Sequence, residues 1–150
     1  MHMHEQASPM NSRNDFCNCF AARQAARALT RAYERHMAPS GLTISQFPIL
    51  VLIDERPGIG MRELADELVM DRTSLVRALK PLQRDGLVAV AAAVGGTRQN
   101  ALSLTPAGVA KIAETSPYWQ EAQNEFVERF GGEGPAAEAR LAFHRMSQLG

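Results

Sequence analysis

Between Met61 and Val88 the chain reads MRELADELVMDRTSLVRALKPLQRDGLV, and few folds accommodate such a run. Leu64, Ala65 and Leu68 fall on one side of a short helix predicted over 61–69. Asp71 is a natural N-cap for a second helix, which should run from Arg72 to about Arg84 and stop at Asp85-Gly86. Leu75, Val76, Leu79 and Leu82 form its apolar stripe, while Arg72, Thr73, Ser74, Arg77 and Lys80 lie outside it. Pro81 should bend or tighten its last turn. Two short strands follow, within 86–94 and 100–105, joined by a glycine-containing hairpin with Arg98 at its tip. Two paired helices and a ribbon make a winged helix-turn-helix, so the fold is read as mainly α with a small β-wing (α+β).

The flanks read as helical. A long pattern from Asp15 to about Ala38 carries Phe16, Phe20, Leu29 and Tyr33, with Arg23, Arg27, Arg31 and Arg35 spaced by four. Pro39-Ser40-Gly41-Leu42 breaks it. Thr43, with Gln46 three residues on, reads as a capping box for a helix over 44–55, with Pro48 near its start. The segment 56–60, RPGIG, ends that helix. Thr105 as N-cap and Pro106 at the first position open another, continuing to about Phe130 with a bend near Ser116–Pro117. GGEGP ends it, and 135–149 is a last amphipathic helix. The 150 residues therefore form one domain over 15–150 after a mobile polar tail, 1–14, with the winged lobe over 43–104.

Composition narrows the function. No run approaches the ~20 apolar residues of a membrane span, and the N-terminus lacks the apolar stretch of a secretory signal. Cys17 and Cys19 are too few for a disulfide scaffold, which fits a cytoplasmic protein. Two residues apart in one helix they would point about 200° from each other, poorly placed to bond together. His2 and His4 read as part of the tail rather than as a metal site. No Ser-His-Asp order, phosphate-cradling glycine loop or metal-ligand spacing is visible, and His36 and His144 stand alone, so neither an enzyme nor a cofactor is expected.

Net charge is zero, but unevenly spread. Residues 71–100 carry Arg72, Arg77, Lys80, Arg84 and Arg98 against Asp71 and Asp85, a local excess of +3. The major groove asks for what this segment offers: hydroxyls at Thr73 and Ser74 for phosphates or bases, Arg77 for a two-pronged guanine contact, and Lys80 for the backbone. Arg98 on the wing suits the minor groove. Double-stranded DNA is thus the expected partner; the alternative of another class is a winged helix that binds protein. A two-fold dimer would read a pseudo-palindrome with half-sites ~10 base pairs apart.

GMRELADELVMDRTSLVRALKPLQRDGLV followed by TRQNALSLTPAG resembles the MarR family of winged-helix transcriptional regulators over nearly all of the chain from Asp15 onward. The resemblance implies a homodimer whose terminal helices, here 15–38 and 105–150, intertwine and leave two separated DNA-binding lobes. It implies that Arg72, Thr73, Ser74 and Arg77 face the major groove and that Arg98 is the wing arginine, although the Asp usual two residues before that arginine is Gly96 here. It also implies a repressor released by a small ligand, commonly an aromatic or phenolic acid. Phe16 and Phe20 would wall such a pocket, Arg23 would meet a carboxylate, and Phe47 and Trp119 would close it; aromatics at this spacing would equally serve as core. CFAARQAARALTRAY also resembles the peroxide-sensing branch of that family, which has a reactive cysteine at the position of Cys19 and tyrosines four and fourteen residues beyond. Tyr33 matches the second, and Arg23 replaces the first.

Overall fold

The computed structural model describes residues 12–91 and 101–150. Most of the tail, with His2 and His4, and the hairpin tip, with Gly96 and Arg98, lie outside the described residues. Among the described residues six α-helices and three short strands follow in order: α1 (Asn18–Met37), α2 (Phe47–Glu55), β1 (Ile59–Gly60), α3 (Met61–Leu68), α4 (Arg72–Arg84), β2 (Val88–Ala91), β3 (Ala101–Leu104), α5 (Pro106–Arg129) and α6 (Glu133–Ser147).

The first helical pattern is broken where no Gly or Pro marks it. Arg13–Phe16 is a separate 3-10 turn, and Cys17, extended at φ −83° and ψ 114°, caps α1 by accepting the Phe20 amide on its sulfur at 3.4 Å. The two cysteines therefore do not share a helix as the sequence suggested; both are exposed free thiols. The capping box of Thr43 and Gln46 forms in both directions, at 3.0 and 3.1 Å, but closes only a turn. The regular helix starts at Phe47, three residues late, because Pro48 has no amide to continue the ladder behind it. In contrast, α5 continues unbroken through Pro117. The last helix begins at Glu133, two residues before the pattern, with Gly134 and Pro135 in its first turn, where unpaired amides make proline tolerable.

One strand was not foreseen. Segment 56–60 ends α2, but Ile59 and Gly60 also pair antiparallel with Leu102 and Ala101, so the expected two-stranded ribbon is a three-stranded sheet in the order β1-β3-β2. Ile59, Leu102 and Val88 turn inward from it onto Leu50, Ile53, Leu64, Leu75, Leu79 and Leu82, and this core joins the sheet to α2, α3 and α4. The helical region is built on α1 packed along α5, where His36 sits between Glu121 and Glu125 and the Tyr33 hydroxyl donates to Gln123.

The turn between α3 and α4 carries a strained residue. Helix α3 ends one residue earlier than its pattern, with Val69 left-handed at φ 55° and ψ 42°. The Val69 amide donates to Asp66 and the Met70 amide to Ala65, closing the helix in the manner usually served by glycine. A β-branched side chain in that conformation costs on the order of 1 kcal/mol. Because Val69 is exposed, Val69→Gly removes strain without opening a cavity. The variant is expected to melt roughly 2–4 °C higher than wild type in calorimetry; an equal or lower melting temperature would show that the strain is smaller than the chain entropy that glycine adds to the unfolded state.

Candidate nucleic-acid interface

Helix α4 is held from both ends. At its start Asp71 accepts the Ser74 amide and the Ser74 hydroxyl, each at 2.8 Å. These bonds, the amide first, hold the Asp71 carboxyl below its ordinary value. At its end Gly86, left-handed at φ 73°, lets the Leu87 amide return to Leu82 at 2.9 Å, so β2 leaves the helix with no slack. Leu75, Leu79 and Leu82 are buried and fix the helix's rotation about its axis. The face opposite the core must then point outward.

That face is an open concavity of about 330 Å³ lined by Arg72, Thr73, Val76, Arg77 and Lys80. The four polar residues are exposed, and among the described residues none of the three cations is in an ion pair. Ser74 stands apart, exposed but with its hydroxyl hydrogen given to Asp71, so its oxygen is left only as an acceptor. Val76, which the sequence pattern places in the core stripe, is half-buried and lines the outer face instead, since consecutive residues of a helix lie about 100° apart.

The cap carries a pH prediction. Because the folded Asp71 carboxyl lies below its unfolded value, its contribution is complete above the unfolded value and is lost as pH falls through the folded one. Melting temperature should therefore fall between pH 5 and pH 2 more steeply in wild type than in Asp71→Asn. Parallel curves would mean that the cap is not electrostatic.

The proposed pocket residues do not converge in one chain. Phe47 is buried in the core, with Trp119 against it at a centroid distance of 5.9 Å. Phe16 and Arg23 are exposed and Phe20 is half-buried at the opposite end of α1. From Phe20 to Met37, where α1 reaches the α2 end of α5, the helix rises about 25 Å. Cys19 is likewise separated from Tyr33 by about 21 Å along the same helix. Burial raises the Tyr33 phenol above its ordinary value, against the influence of Arg140, so Tyr33 stays neutral and its hydroxyl donates to the Gln123 side-chain oxygen. No thiolate-holding pair forms between Cys19 and Tyr33 within one chain.

The terminal helices leave large apolar side chains uncovered. Phe16 and Leu149 are 73% and 85% exposed, and Phe130, Leu141, Phe143 and Met146 join them. Between α1, α5 and α6 lies an apolar cleft of about 360 Å³ bordered by Leu29, Tyr33, Phe126 and Phe143. Among the described residues no helix is long and apolar enough to cross a membrane.

Residues 40–99 match the model of the MarR family. Over 88% of this chain and 94% of the other, the fold is similar to the crystal structure of the M. tuberculosis transcriptional regulator MosR in complex with DNA, at 36% identity and a TM-score of 0.78. It is also similar to the HTH-type transcriptional regulator TtmR of Methylorubrum extorquens (strain PA1), 34% identical over 90 residues, 60% of this chain. The PcaV regulator of Streptomyces coelicolor, solved with its natural ligand, shares the fold at a TM-score of 0.80 and 16% identity over 93% of this chain and 98% of that one. The chain spans 46% and 61% of the lengths of the curated relatives it matches.

Proposed function

The chain belongs to the MarR family of non-enzymatic, DNA-binding transcriptional regulators, and from that premise we propose that it is a cytoplasmic, homodimeric repressor of a pseudo-palindromic operator, released by a small aromatic or phenolic ligand. The observation that carries the DNA reading is the outward face of α4, where Arg72, Thr73, Arg77 and Lys80 surround one concavity and the three cations are in no ion pair among the described residues. Arg77 reads a guanine edge, Thr73 a base or phosphate, and Arg72 and Lys80 the backbone. Ser74 contributes through its remaining acceptor. Arg98 is the proposed minor-groove contact of the wing.

The uncovered apolar side chains of α1, α5 and α6 support the dimer: a second copy would fill the cleft and hide Phe130, Leu141, Phe143 and Met146. The domain reading follows, with 43–104 as the DNA-binding lobe and 15–38 and 105–150 as the dimerisation helices. An intertwined dimer would complete the effector site by bringing Phe16, Phe20 and Arg23 of a second copy to the Phe47–Trp119 pair, an arrangement that one chain alone does not make. A ligand seated there presses on the junction of α2 and α5 and changes the lobe spacing, favouring a state that no longer fits two successive major grooves.

Selection of bound duplexes from fragments of the source genome at near-physiological salt tests the reading. The expected product is one pseudo-palindrome with half-sites ~10 base pairs apart, released by aromatic acids in proportion to their occupancy. Enrichment of no duplex would reject it and favour a winged helix that binds protein.

A further inference from the structure

The outer face of α4 contains one residue that neither the core nor a phosphate explains. Val76 lies four residues after Arg72 and four before Lys80, so the three stand in one row along the helix. It lines the same concavity as they do. Among the described residues, the partly buried apolar side chains packed on the core include Ala78, two residues further along α4, but not Val76. A β-branched side chain is stiff at its first torsion, so its methyls are presented outward in a fixed direction, between two cations.

We propose that Val76 is a specificity-determining residue that reads the 5-methyl group of one pyrimidine in the major groove of each half-site. This rests on the DNA-binding reading above. The 5-methyl group of thymine is the only methyl group that the unmodified bases display in that groove. Against a purine edge the valine would cover an acceptor or an amino group, removing its water without returning a hydrogen bond, and against an unmethylated pyrimidine it would leave the space of the methyl unfilled. A methyl opposite Val76 buries apolar surface on both sides while the flanking Arg72 and Lys80 remain free to meet the backbone. The same group is carried by 5-methylcytosine, so a cytosine at that position would be read by its methylation state.

The test takes the duplex that wild type selects and replaces each thymine in turn by deoxyuridine, which lacks only the 5-methyl group. One position per half-site is expected to weaken wild-type binding about fourfold, and about 15-fold when both half-sites are changed, the value of one buried methyl each. Val76→Ala should bind the thymine duplex more weakly by a similar factor and show no further loss with deoxyuridine there. Val76→Thr, which keeps one methyl on the same branch, should retain part of the penalty. A second arm places cytosine or 5-methylcytosine at that position; recovery by methylation in wild type alone shows that the methyl itself is recognised.

Insensitivity of wild type to deoxyuridine at every position, or an undiminished penalty in Val76→Ala, overturns the inference while leaving DNA binding intact. If wild type selects no duplex, the DNA-binding reading fails and this inference fails with it.

Discussion

Replacing Arg77 with alanine is expected to weaken specific operator binding by at least an order of magnitude while leaving the protein folded. Arg77 is exposed, outside the core and in no ion pair among the described residues, so its removal should change stability by no more than about 0.5 kcal/mol. On DNA the same side chain supplies a two-pronged contact worth about 1–3 kcal/mol in each half-site. A dimer loses it twice, which places the affinity loss between roughly 30-fold and 10⁴-fold. The loss should be confined to the selected duplex and small on a scrambled one. Lys80→Ala gives the contrast: a phosphate contact carries no sequence information, so it should weaken both duplexes alike and flatten the salt dependence by about one counterion per half-site. Fluorescence anisotropy on the two duplexes at several salt concentrations separates these patterns. An equal loss on both duplexes for Arg77→Ala would move Arg77 from the bases to the backbone.

A second large effect is expected at a residue that touches no DNA. Gly108 lies in the first turn of α5, where an added Cβ would stand 2.2 Å from the Leu87 carbonyl oxygen. That oxygen belongs to backbone and cannot swing aside; it also accepts the Thr105 amide at 3.1 Å. The Thr105 hydroxyl meanwhile donates to the Gly86 carbonyl at 2.6 Å and accepts the Gly108 amide. The end of α4, the start of β2 and the start of α5 are thus locked at one point. Gly108→Ala must push α5 away from that point. The expected cost is about 3 kcal/mol, or roughly 10 °C of melting temperature, with operator affinity reduced because α4 turns relative to the helical region. A variant that melts within 2 °C of wild type would mean that the junction is loose and does not transmit position between lobe and helices.

The most legible part of the sequence was its centre. Both ends of α4 were readable because Asp71 and Gly86 act through local chemistry: a carboxylate three residues before an amide, and a residue free to turn left-handed. The start of α5 was readable for the same reason at Thr105 and Pro106. What escaped was set by distant or unusual partners. Strand β1 exists only because Leu102 and Ala101 lie beside it, and a two-residue segment beside glycines carries no pattern of its own. Val69 adopts a conformation that its side chain argues against, so the end of α3 was placed one residue too far. The break at Cys17 follows no Gly or Pro. Val76 and Leu75 are both apolar and lie only about 100° apart on the helix, and only the orientation of the whole helix decides which of them turns inward. Of the five residues read as a ligand pocket, Phe16, Phe20 and Arg23 lie at the start of the first helical region while Phe47 and Trp119 pair between α2 and α5, so an association between copies, invisible to helical spacing, decides whether they meet.

The central claim is that the outward face of α4 enters the major groove. Protection of guanine N7 from methylation tests it most directly, because that atom is displayed only in the major groove. With the duplex recovered by wild type, the account predicts two protected guanine clusters about one helical turn apart on one face of the DNA, both lost with Arg77→Ala. Binding that leaves every guanine N7 reactive would contradict it, placing the protein on the backbone or the minor groove and leaving the face of α4 without the role assigned to it.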